Sequence, residues 1–588
     1  MEKILSIHIG HDSTAFYLDD SGYIGIAEER ISRIKNFYGF PNKSISEIFQ
    51  IKNVNWSLID KLVITGSSLK KSKSYKNSFF FNFRSEDFSN NVSLKARFEC
   101  FRYFFRNNLE FDSLLRQYLK DNGFKGKIKY YDHHLCHIAS SYATYPIDNS
   151  ILLSIDGGGD NVNWSIYKVE NDKFRLINKS SNNLTLDVHD TPADIYSNTT
   201  KFLGFRRLRD EGKVMGLAAN GKPIHKDYFD EILKFDDGKF ICSFGPQRKN
   251  FIKKIRNLIA FFLNGTNYDL DQILDMKSYF KNKLYKRENV CSSLQVWAEE
   301  ITMKFLNFFY NKYNLKNRTI LLSGGFFSNV LINQKIKESG LFRNVYVTPN
   351  MGDGGLALGG AYLTAPKKYK DRFFKDIKKN AFYGNLPNVS ILKKYVEDFY
   401  IKKMNHIKLS KLIANSLIDN KIIGIVNGEM EYGPRALGNR SIIANPAKEN
   451  ITDELNMRLN RSDFMPFAPI IRDCDADKIL ENYSKNDFSA KFMTTTYTVK
   501  KNLREKLKNI MHVDNTVRPQ VVDKVNNKLC YSILNYFSKK TNIPALINTS
   551  FNVHEEPIVM HIEHAMQALD QEVIDLLIID DFLVKKKN

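Results

Sequence analysis

The segment NGEMEYGPRALGNRSIIAN, residues 427–445, holds a dense set of residues that suit a small anion. Arg435 and Arg440 offer fork-shaped sets of N–H donors that match a phosphate or a carboxylate. Ser441 and three glycines surround a Gly-Pro turn, and glycine lets backbone N–H groups approach a ligand closely. The apolar run before it, residues 422–426, predicts a buried strand. The segment therefore predicts an anion site, and an Arg–Glu network that braces a loop is the alternative.

Length and composition predict a two-domain cytoplasmic protein with no membrane partner. The chain has 588 residues, more than one hydrophobic core usually supports. Apolar residues make up 43% and charged residues 26%, and no apolar run reaches the roughly 20 residues of a membrane span. The N-terminus starts with a strand-like pattern, so we expect no secretion signal. The six cysteines form no CxxC pair, which argues against a thiolate zinc site or a disulfide framework.

The net charge of +22 has two explanations. A basic surface attracts nucleic acid through counterion release and long-range steering. A composition rich in Lys, Asn and Ile also follows from a coding sequence rich in A and T. Residues 69–129 interleave aromatics with Lys and Arg, a mixture that can follow a nucleic-acid backbone while stacking bases. The same pattern fits a pair of ordinary amphipathic helices, and that interpretation is favoured.

Three short strands are predicted near the N-terminus, over residues 4–9, 14–18 and 23–27. The turn between the first two, residues 10–14, can present backbone donors and a carboxylate to a phosphate or a metal. Gly/Asp turns also connect many hairpins with no such role. The basic residues of the next segment, EERISRIK (28–35), can face the same pocket, although a solvated helix face is the more usual arrangement.

A histidine-rich helix start, residues 132–137, predicts a divalent metal site. His133 and His137 are four residues apart, so on a helix both imidazoles project from one face. Asp156 and Asp353 are candidate oxygen ligands, because each lies where a strand opens into a glycine-rich loop. Two histidines with carboxylates suit Fe(II), Mn or Zn, and the spacing does not choose among these metals.

Two further glycine-rich segments indicate phosphate binding. Gly324 and Gly325 form a tight turn after a strand-like run, and Asn329 lies at the start of the next helix. Backbone N–H groups at a helix N-terminus favour phosphate. Lys213 lies in another segment bracketed by glycines. Neither segment matches a P-loop or a Rossmann fingerprint, so both of those nucleotide-binding folds are excluded.

Eleven segments of the chain follow one another in an order that is typical of one family. They are HDS (11–13), AEERISRIKN (27–36), DHHLCHIAS (132–140), IDGGGDN (155–161), EGKVMGLAANG (211–221), LSGGFFSN (322–329), MGDGGLALGGA (351–361), GEMEYGPRALGNRSIIANP (428–446), PFAP (466–469), HVDNTVRPQ (512–520) and INTSFNVHEEPIV (547–559). Together they resemble the NodU/CmcH-type O-carbamoyltransferases, which carbamoylate antibiotics, nodulation factors and toxins. The resemblance extends over nearly the whole chain.

The resemblance implies an α/β protein with two domains. Residues 1–370 would form a duplicated actin/sugar-kinase-like domain that binds metal and nucleotide and transfers the carbamoyl group. Residues 371–588 would form a YrdC-like α/β domain that activates carbamoyl phosphate with ATP as carbamoyl adenylate. The carbamoyl group would then pass to an acceptor hydroxyl, with iron as the expected metal.

The resemblance also implies roles for individual residues. The metal ligands would be His133, His137, Asp156 and Asp353. His11 and Asp12 are plausible bases for the acceptor hydroxyl, and a turn that only shapes the pocket is equally compatible. Nucleotide would contact Lys213, Gly324, Gly325 and Asn329. The activation site would use Arg435, Arg440, Ser441, Arg461, Arg518, Asn548, Thr549 and Ser550, because two polyanions need several desolvated cations to align them.

One departure from the family pattern concerns the activation site. Most members have Lys-x-Arg-Glu-x-Phe-Arg before Pro-Phe-Ala-Pro. This chain keeps Arg461, but Met465 replaces the second arginine and no lysine stands at the expected place. Either Arg458 and Arg461 replace the missing cations, or the activation step is altered.

The acceptor is not fixed by the sequence. The basic excess suits a hydroxyl on nucleic acid, for example a hydroxymethylated base in DNA, which would have to be flipped out or single-stranded. A small-molecule or saccharide natural product is the alternative. Two rivals are threonylcarbamoyl transfer to tRNA and a non-catalytic nucleic-acid-binding protein. A homodimer is compatible with all of these.

Overall fold

A computed structural model describes residues 2–67, 111–160, 162–180, 191–243, 270–281, 285–375, 380–461 and 466–587. Most of the lysine- and aromatic-rich stretch predicted over 69–129, and Met465, lie outside these residues. The chain forms two compact units. The first comprises Met1–Tyr23 and Ala27–Asp376, and the second comprises Ile24–Ile26 and Ile377–Asn588. Both units mix helices with sheets, which confirms the predicted α/β class.

Two sheets of the first unit repeat one strand pattern. In each, a strand pairs with antiparallel partners on one side and with parallel strands on the other. The orders are β3-β2-β1-β4-β5 and β8-β7-β6-β11-β12, so the second sheet repeats the first and the predicted duplication is confirmed. A separate hairpin joins β9 and β10. These strands are β1 (Ile4–His8), β2 (Thr14–Asp19), β3 (Gly22–Ala27), β4 (Lys61–Thr65), β5 (Lys127–Tyr131), β6 (Ile151–Gly159), β7 (Val162–Glu170), β8 (Lys173–Lys179), β9 (Leu233–Asp236), β10 (Lys239–Cys242), β11 (Thr319–Ser323) and β12 (Asn344–Val347).

The helices of the first unit pack on these sheets. One core lies around the second sheet, where Leu153 and Leu322 of the central strands belong to the same buried cluster as Trp297 and Phe305 of the long helix Arg287–Lys312. The helices are α1 (Glu28–Ser32), α2 (Asn42–Lys52), α3 (Phe111–Asp121), α4 (His133–Thr144), α5 (Pro192–Phe202), α6 (Glu211–Ala218), α7 (Lys226–Ile232), α8 (Leu270–Lys281), α9 (Arg287–Lys312), α10 (Val330–Glu338), α11 (Leu356–Thr364) and α12 (Lys367–Tyr369).

The second unit is built on one mixed sheet of eight strands. Its order is β13-β22-β21-β14-β15-β20-β16-β19, and β17 and β18 form a small separate pair. These strands are β13 (Phe399–Lys403), β14 (Ile423–Val426), β15 (Arg440–Ala444), β16 (Ala468–Arg472), β17 (Tyr497–Thr498), β18 (Thr516–Val517), β19 (Gln520–Val522), β20 (Ala545–Ser550), β21 (Leu576–Ile579) and β22 (Phe582–Lys586).

Both faces of this sheet are buried, because successive residues of a strand point to opposite faces. Ile443 contributes to one core, with helices α13 (His406–Ile418) and α16 (Lys528–Thr541). Its neighbours Ile442 and Ala444 contribute to the other. The remaining helices are α14 (Ile451–Arg458), α15 (Asp473–Ile479) and α17 (Ile562–Asp570). The likeness of this unit to the YrdC fold stays a prediction.

Local predictions agree with most of these elements. The strand predicted over 4–9 is β1, and the buried strand predicted over 422–426 is β14. The solvated helix expected after residue 28 is wrong, because Glu28 is buried in α1. Its carboxylate accepts hydrogen bonds from the backbone N–H groups of Lys43 and Ser44 at the start of α2. None of the helices in the described ranges has the length and apolar character needed to cross a bilayer.

Candidate metal centre and anion pocket

Two imidazoles project from the start of α4. Asp132 caps this helix by accepting a hydrogen bond from the backbone N–H of Leu135, as an N-cap aspartate usually does. The cap fixes the first turn, so His133 and His137 lie one above the other with ring centres 4.8 Å apart. Both rings are buried.

Two carboxylates from separate strand ends complete the cluster. Asp156 lies in β6 where its regular pairing with β7 is interrupted, and Asp353 lies in the loop after β12. His137 Nε2 is 2.9 Å from Asp156 Oδ2 and 3.4 Å from Asp353 Oδ1. His133 Nε2 is 3.6 Å and 3.5 Å from the same two oxygens. The four side chains, which we call the metal centre, offer ligand atoms that all lie within 4.8 Å of one another.

Glycine is required where the loops approach this cluster. A Cβ on Gly159 would lie 2.3 Å from the His133 ring. Gly324 has φ +95°, and a Cβ there would lie 2.1 Å from the carbonyl oxygen of Ile155. A Cβ on the next residue, Gly325, would lie 3.2 Å from Asp156 Oδ1. The structure therefore places the glycine-rich turn at 324–325 directly beside the metal centre.

The charges of the metal centre balance one another. Burial lowers the pKa of His133, but Asp353 and Asp156 outweigh this effect and raise the pKa to about 9. The pKa of His137 is also raised despite burial, chiefly by Asp156 and Asp353. Burial raises the pKa of Asp156, but the neighbouring imidazoles of His133 and His137 hold it well below the usual range. Without a metal, protonated imidazoles therefore neutralise the carboxylates.

The donor set fits a divalent transition metal. Nε2 of His133 is buried, and it makes no hydrogen bond within the parts of the chain that the structure describes. Its distances of 3.5 and 3.6 Å to the carboxylates exceed hydrogen-bonding range. A cation between these atoms would replace the protons on the imidazoles. Two imidazole nitrogens with two carboxylate oxygens suit Fe(II), Mn or Zn.

Two neighbouring histidines have other roles. His134 is held by the Ser154 hydroxyl at 3.0 Å and by the Val162 carbonyl oxygen at 2.6 Å, so it belongs to the core. His8 lies on β1, with Nδ1 3.0 Å from Thr65 Oγ1 and Nε2 3.1 Å from the His11 carbonyl oxygen. The sequence prediction did not include His8, because a single histidine inside an apolar strand carries no spacing signal.

His11 and Asp12 form a pair beside the metal centre. His11 Nδ1 is 3.1 Å from Asp12 Oδ2, and Asn36 Nδ2 donates to Asp12 Oδ1 at 2.9 Å. His8 Nε2, which contacts the His11 carbonyl, lies 3.8 Å from Asp353 Oδ2. Burial lowers the pKa of His11, but Asp12 outweighs it and raises that pKa to about 9. The group that is unprotonated at neutral pH is therefore Asp12, whose pKa is lowered by His11 despite burial.

Asn329 and Lys213 make contacts within the fold. Asn329 Oδ1 caps α10 by accepting from the N–H groups of Leu331 and Ile332, and its Nδ2 donates to Gln295 at 2.8 Å. Both ends of this amide are engaged within the fold, and the nucleotide contact of Asn329 stays a prediction. Lys213 Nζ lies 3.6 Å from Asp210 Oδ1.

In the second unit, Arg440 braces the segment that suggested an anion site. Its guanidinium is fully buried and donates to the carbonyl oxygens of Asn427, Gly428, Asn439 and Asn385, at 2.9–3.2 Å. These contacts favour the bracing network weighed as the alternative. Nε of Arg440 is buried without a hydrogen bond to any described residue, and its predicted contact with a substrate stays a prediction.

Glu431 holds the same loop from inside. Its Oε1 accepts hydrogen bonds from the backbone N–H groups of Leu437, Asn439 and Arg440. Ser441 Oγ accepts from the N–H of a further loop residue, Gly438, at 2.9 Å. From the sequence alone, Glu431 is only an acid near two arginines, because a carboxylate that accepts hydrogen bonds from backbone N–H groups has no local sequence signature.

We call Arg435, Arg461 and Arg518 the anion pocket, and two of them, Arg435 and Arg518, have no acidic partner among the described residues. Nε of Arg435 and Nε of Arg518 are buried and make no hydrogen bond with any described residue. Burial lowers the pKa of Arg435 to about 10. Burial also lowers the pKa of Arg518, and the positive charges of Arg435 and Arg461 lower it further. Arg461 Nη1 donates to Thr549 Oγ1 at 3.3 Å. Charges that repel one another in a partly buried site favour an anionic ligand.

Arg458 does not replace the cations missing from the family pattern. Its guanidinium forms ion pairs with Glu454 at 2.7 Å and with Asp575 at 2.9 Å. Of the two arginines proposed as replacements, only Arg461 belongs to the anion pocket.

The other predicted residues of this site lie on adjacent strands. Asn548, Thr549 and Ser550 end β20, and Ser550 is paired in register with Ser441 on β15. Asn548 Nδ2 donates to Gln520 Oε1 at 2.7 Å. Gln520, two residues after Arg518, was not singled out from the sequence.

Comparisons with known proteins point to the same family in both parts of the chain. A family model described as the carbamoyltransferase N-terminus matches residues 3–362, and one described as the carbamoyltransferase C-terminus matches residues 414–586. An uncharacterized protein of Methanocaldococcus jannaschii is 30% identical over 99% of both chains. The nodulation protein NolNO of Sinorhizobium fredii is 27% identical over 98% of this chain and 79% of its own. The solved structure of full-length HypF in its phosphate- and nucleotide-bound form overlaps 62% of this chain and 55% of its own, at 13% identity and a TM-score of 0.30.

Proposed function

Because the chain belongs to the carbamoyltransferase family, we propose that this enzyme is an ATP-dependent O-carbamoyltransferase with carbamoyl phosphate as donor. The observation that carries the proposal is the anion pocket, in which no carboxylate among the described residues compensates Arg435 and Arg518. Carbamoyl phosphate and ATP are polyanions, and a partly desolvated cluster of arginines both neutralises and aligns them.

The proposed first half-reaction takes place in the second unit. Carbamoyl phosphate reacts with water to give carbamate and phosphate. A carbamate oxygen then attacks the α-phosphorus of ATP, and pyrophosphate leaves. The product is carbamoyl adenylate. Arg435, Arg461 and Arg518 bind the phosphoryl oxygens, whereas Arg440 and Glu431 hold the loop that carries Arg435.

The proposed second half-reaction takes place in the first unit. The acceptor hydroxyl attacks the carbamoyl carbon, AMP leaves, and the C–O bond of a carbamate ester forms. Asp12 accepts the hydroxyl proton, because its pairing with His11 keeps it ionised at neutral pH. A divalent metal held by His133, His137, Asp156 and Asp353 would supply a Lewis acid for the carbonyl or for the leaving phosphate.

The experiment uses carbamoyl phosphate labelled with ¹⁴C, together with ATP. We expect AMP and pyrophosphate to form only when both substrates are present. Arg518→Met should abolish this reaction, and Arg458→Met, which alters an ion-paired arginine outside the pocket, should retain it. ATP turnover independent of carbamoyl phosphate would contradict the proposal.

For the acceptor, we propose a hydroxymethylated base in DNA, with a saccharide or small natural product as the alternative. The net charge of +22 supports a polyanionic acceptor. Label should appear on single-stranded DNA that contains 5-hydroxymethyl bases. DNA binding should also weaken steeply with salt. Binding that is indifferent to salt would leave the saccharide acceptor as the better candidate. The match to carbamoyltransferase models over both halves of the chain argues against the threonylcarbamoyl and non-catalytic rivals.

A further inference from the structure

A chain of side-chain amides fixes the orientation of Asn548. Gln520 Nε2 donates to the carbonyl oxygen of Leu437 at 2.6 Å. Because a carbonyl oxygen can only accept, this contact determines which end of the Gln520 amide is the donor. Gln520 Oε1 then accepts from Asn548 Nδ2 at 2.7 Å, and Asn548 Nδ2 also contacts the carbonyl oxygen of Ala436 at 3.3 Å. Both amide orientations therefore follow from backbone carbonyls of the loop before β15.

The opposite end of the Asn548 amide has no partner within the part of the chain that the structure describes. Asn548 is 1% exposed, and its Oδ1 is buried without a hydrogen-bond donor among the described residues. A buried amide oxygen without a donor is costly to the fold. A ligand that brings an N–H group to this position would remove that cost.

The contacts of Asn548 connect it to every arginine of the anion pocket. Ala436, which accepts from its Nδ2, directly follows Arg435. Gln520 lies two residues after Arg518. The next residue along β20, Thr549, accepts from Arg461 at 3.3 Å. Asn548 is thus linked through the fold to the three segments that hold these arginines.

We propose that Asn548 Oδ1 accepts a hydrogen bond from the amino group of carbamoyl phosphate and so selects this donor among acyl phosphates. This inference rests on the proposed function. Arginines recognise the phosphoryl group, which all acyl phosphates share. The carbamoyl amino group is the feature that acetyl phosphate lacks, since a methyl group stands in its place. Asn548 is thus a specificity-determining residue, and Gln520 is the positioning residue that keeps its oxygen turned toward the ligand.

The expected selectivity is large. A site built around a substrate N–H disfavours an analogue without it, because the buried acceptor is then left unpaired. Such sites discriminate by up to about 10⁴-fold. We expect wild-type enzyme to prefer carbamoyl phosphate over acetyl phosphate by at least about 100-fold in ATP-dependent pyrophosphate release.

The test compares both acyl phosphates with wild-type enzyme and with Asn548→Leu, which keeps a similar volume and removes the acceptor. We expect the preference to fall below about tenfold in Asn548→Leu, mainly through slower reaction of carbamoyl phosphate. Gln520→Leu should reduce the preference partly. Thr549→Val, which removes a partner of Arg461, should slow both reactions by the same factor and leave the preference unchanged.

Binding measurements distinguish a failure of this inference from misfolding of the variant and from a failure of the proposed function. Inorganic phosphate should raise the melting temperature of wild-type protein and of Asn548→Leu alike, which shows that the variant folds and keeps its arginines in place. Competition with phosphate gives the relative affinities of the two acyl phosphates even without turnover. Wild-type enzyme that releases no pyrophosphate from either would contradict the proposed function, whereas equal affinities would contradict the role of Asn548.

One further outcome would assign the role proposed for Asn548 to a different residue, Asn552. Asn552 Oδ1 is also buried and has no donor among the described residues, while its Nδ2 donates to the carbonyl oxygens of Val553 and Glu556. An unchanged preference in Asn548→Leu, with a collapsed preference in Asn552→Leu, would overturn the assignment and place the acceptor at Asn552.

Discussion

The metal centre of the first unit and the anion pocket of the second hold buried charge in opposite ways. In the metal centre, carboxylates lie 2.9–3.6 Å from the imidazoles of His133 and His137, so the charges compensate one another inside the protein. In the anion pocket, Arg435 and Arg518 lack an acidic partner among the described residues, and the pocket arginines repel one another.

This difference determines what each ligand must do. A metal has to displace protons from a site that is already neutralised, so its binding depends on pH. An anion enters a site with uncompensated positive charge, so it relieves repulsion and stabilises the folded state by mass action. The first site is therefore tested best by proton competition, and the second by the response of stability to phosphate.

The largest expected effect is the loss of metal from a variant of the first site. His137→Asn removes one of four ligands, and we expect the affinity for Fe(II) or Zn²⁺ to fall more than about 100-fold, beyond the loss typical of residues that only support a ligand. Competition with a chromophoric chelator measures this change. His134→Asn is the matched control, because that ring binds Ser154 and Val162 instead. Equal losses in the two variants would show that the site depends on α4 as a whole.

The second expected effect is a pH dependence of stability in the metal-free protein, to which the first site contributes. Since the pKa of His133 is raised to about 9 from 6.5, its pairing stabilises the fold fully below pH 6.5 and is lost as the pH rises through 9. The lowered pKa of Asp156 makes its contribution present above its usual pKa and lost in acid. The difference between about 9 and 6.5 corresponds to at most about 3 kcal/mol.

Denaturant unfolding of EDTA-treated protein between pH 6.5 and 9 measures this loss. His133→Asn should show a smaller decline than wild-type protein, because His11 and His137, whose pKa values are also raised, still contribute. Metal affinity should change in the opposite direction and rise over the same interval, because the imidazoles must lose their protons to bind. The pKa of Arg435, lowered to about 10 by burial, lies outside this interval. An equal decline in wild-type and variant protein would assign the pH dependence to other groups.

The sequence predicted the residues of the first site better than their counterparts in the second. His133 and His137 are four apart on one helix, so local geometry alone places them together. Asp156 and Asp353 are far apart in sequence, but Asp156 lies near the end of β6 and Asp353 follows β12 of the same sheet, and glycine neighbours both residues. The signals for these ligands are local, and the strand order brings them together.

The role of Arg440 could not be predicted in the same way. A guanidinium that faces a ligand and one that binds carbonyl oxygens have the same local sequence. Only the fold shows that Arg440 contacts Asn385, which is 55 residues away. Likewise, the Asn548 oxygen that lacks a donor among the described residues is oriented by two contacts, Asn548 to Gln520 and Gln520 to the Leu437 carbonyl, and no periodic pattern encodes them.

The third expected effect separates the two arginines of the same segment. Arg440→Met leaves four carbonyl oxygens, two of them in buried contacts, without this donor, so we expect a loss of about 2 kcal/mol in the free energy of unfolding. Arg435→Met should leave stability nearly unchanged and should weaken phosphate binding. Denaturant unfolding with and without phosphate measures both. Equal destabilisation by the two changes would contradict the distinction between a bracing arginine and a ligand-binding arginine.

The smallest expected effect, in the opposite direction, concerns Arg518. Because its charge is partly buried without an acidic partner, Arg518→Met should leave the ligand-free protein as stable as wild type or up to about 1 kcal/mol more stable. The variant should also lose most of the stabilisation by phosphate. Arg458→Met is the matched control: it breaks ion pairs with Glu454 and Asp575, so it should cost up to about 1 kcal/mol while the response to phosphate stays intact. If Arg518→Met destabilised the ligand-free protein more than Arg458→Met does, the charge of Arg518 would have to be compensated within the fold, and the contrast between the two sites would fail.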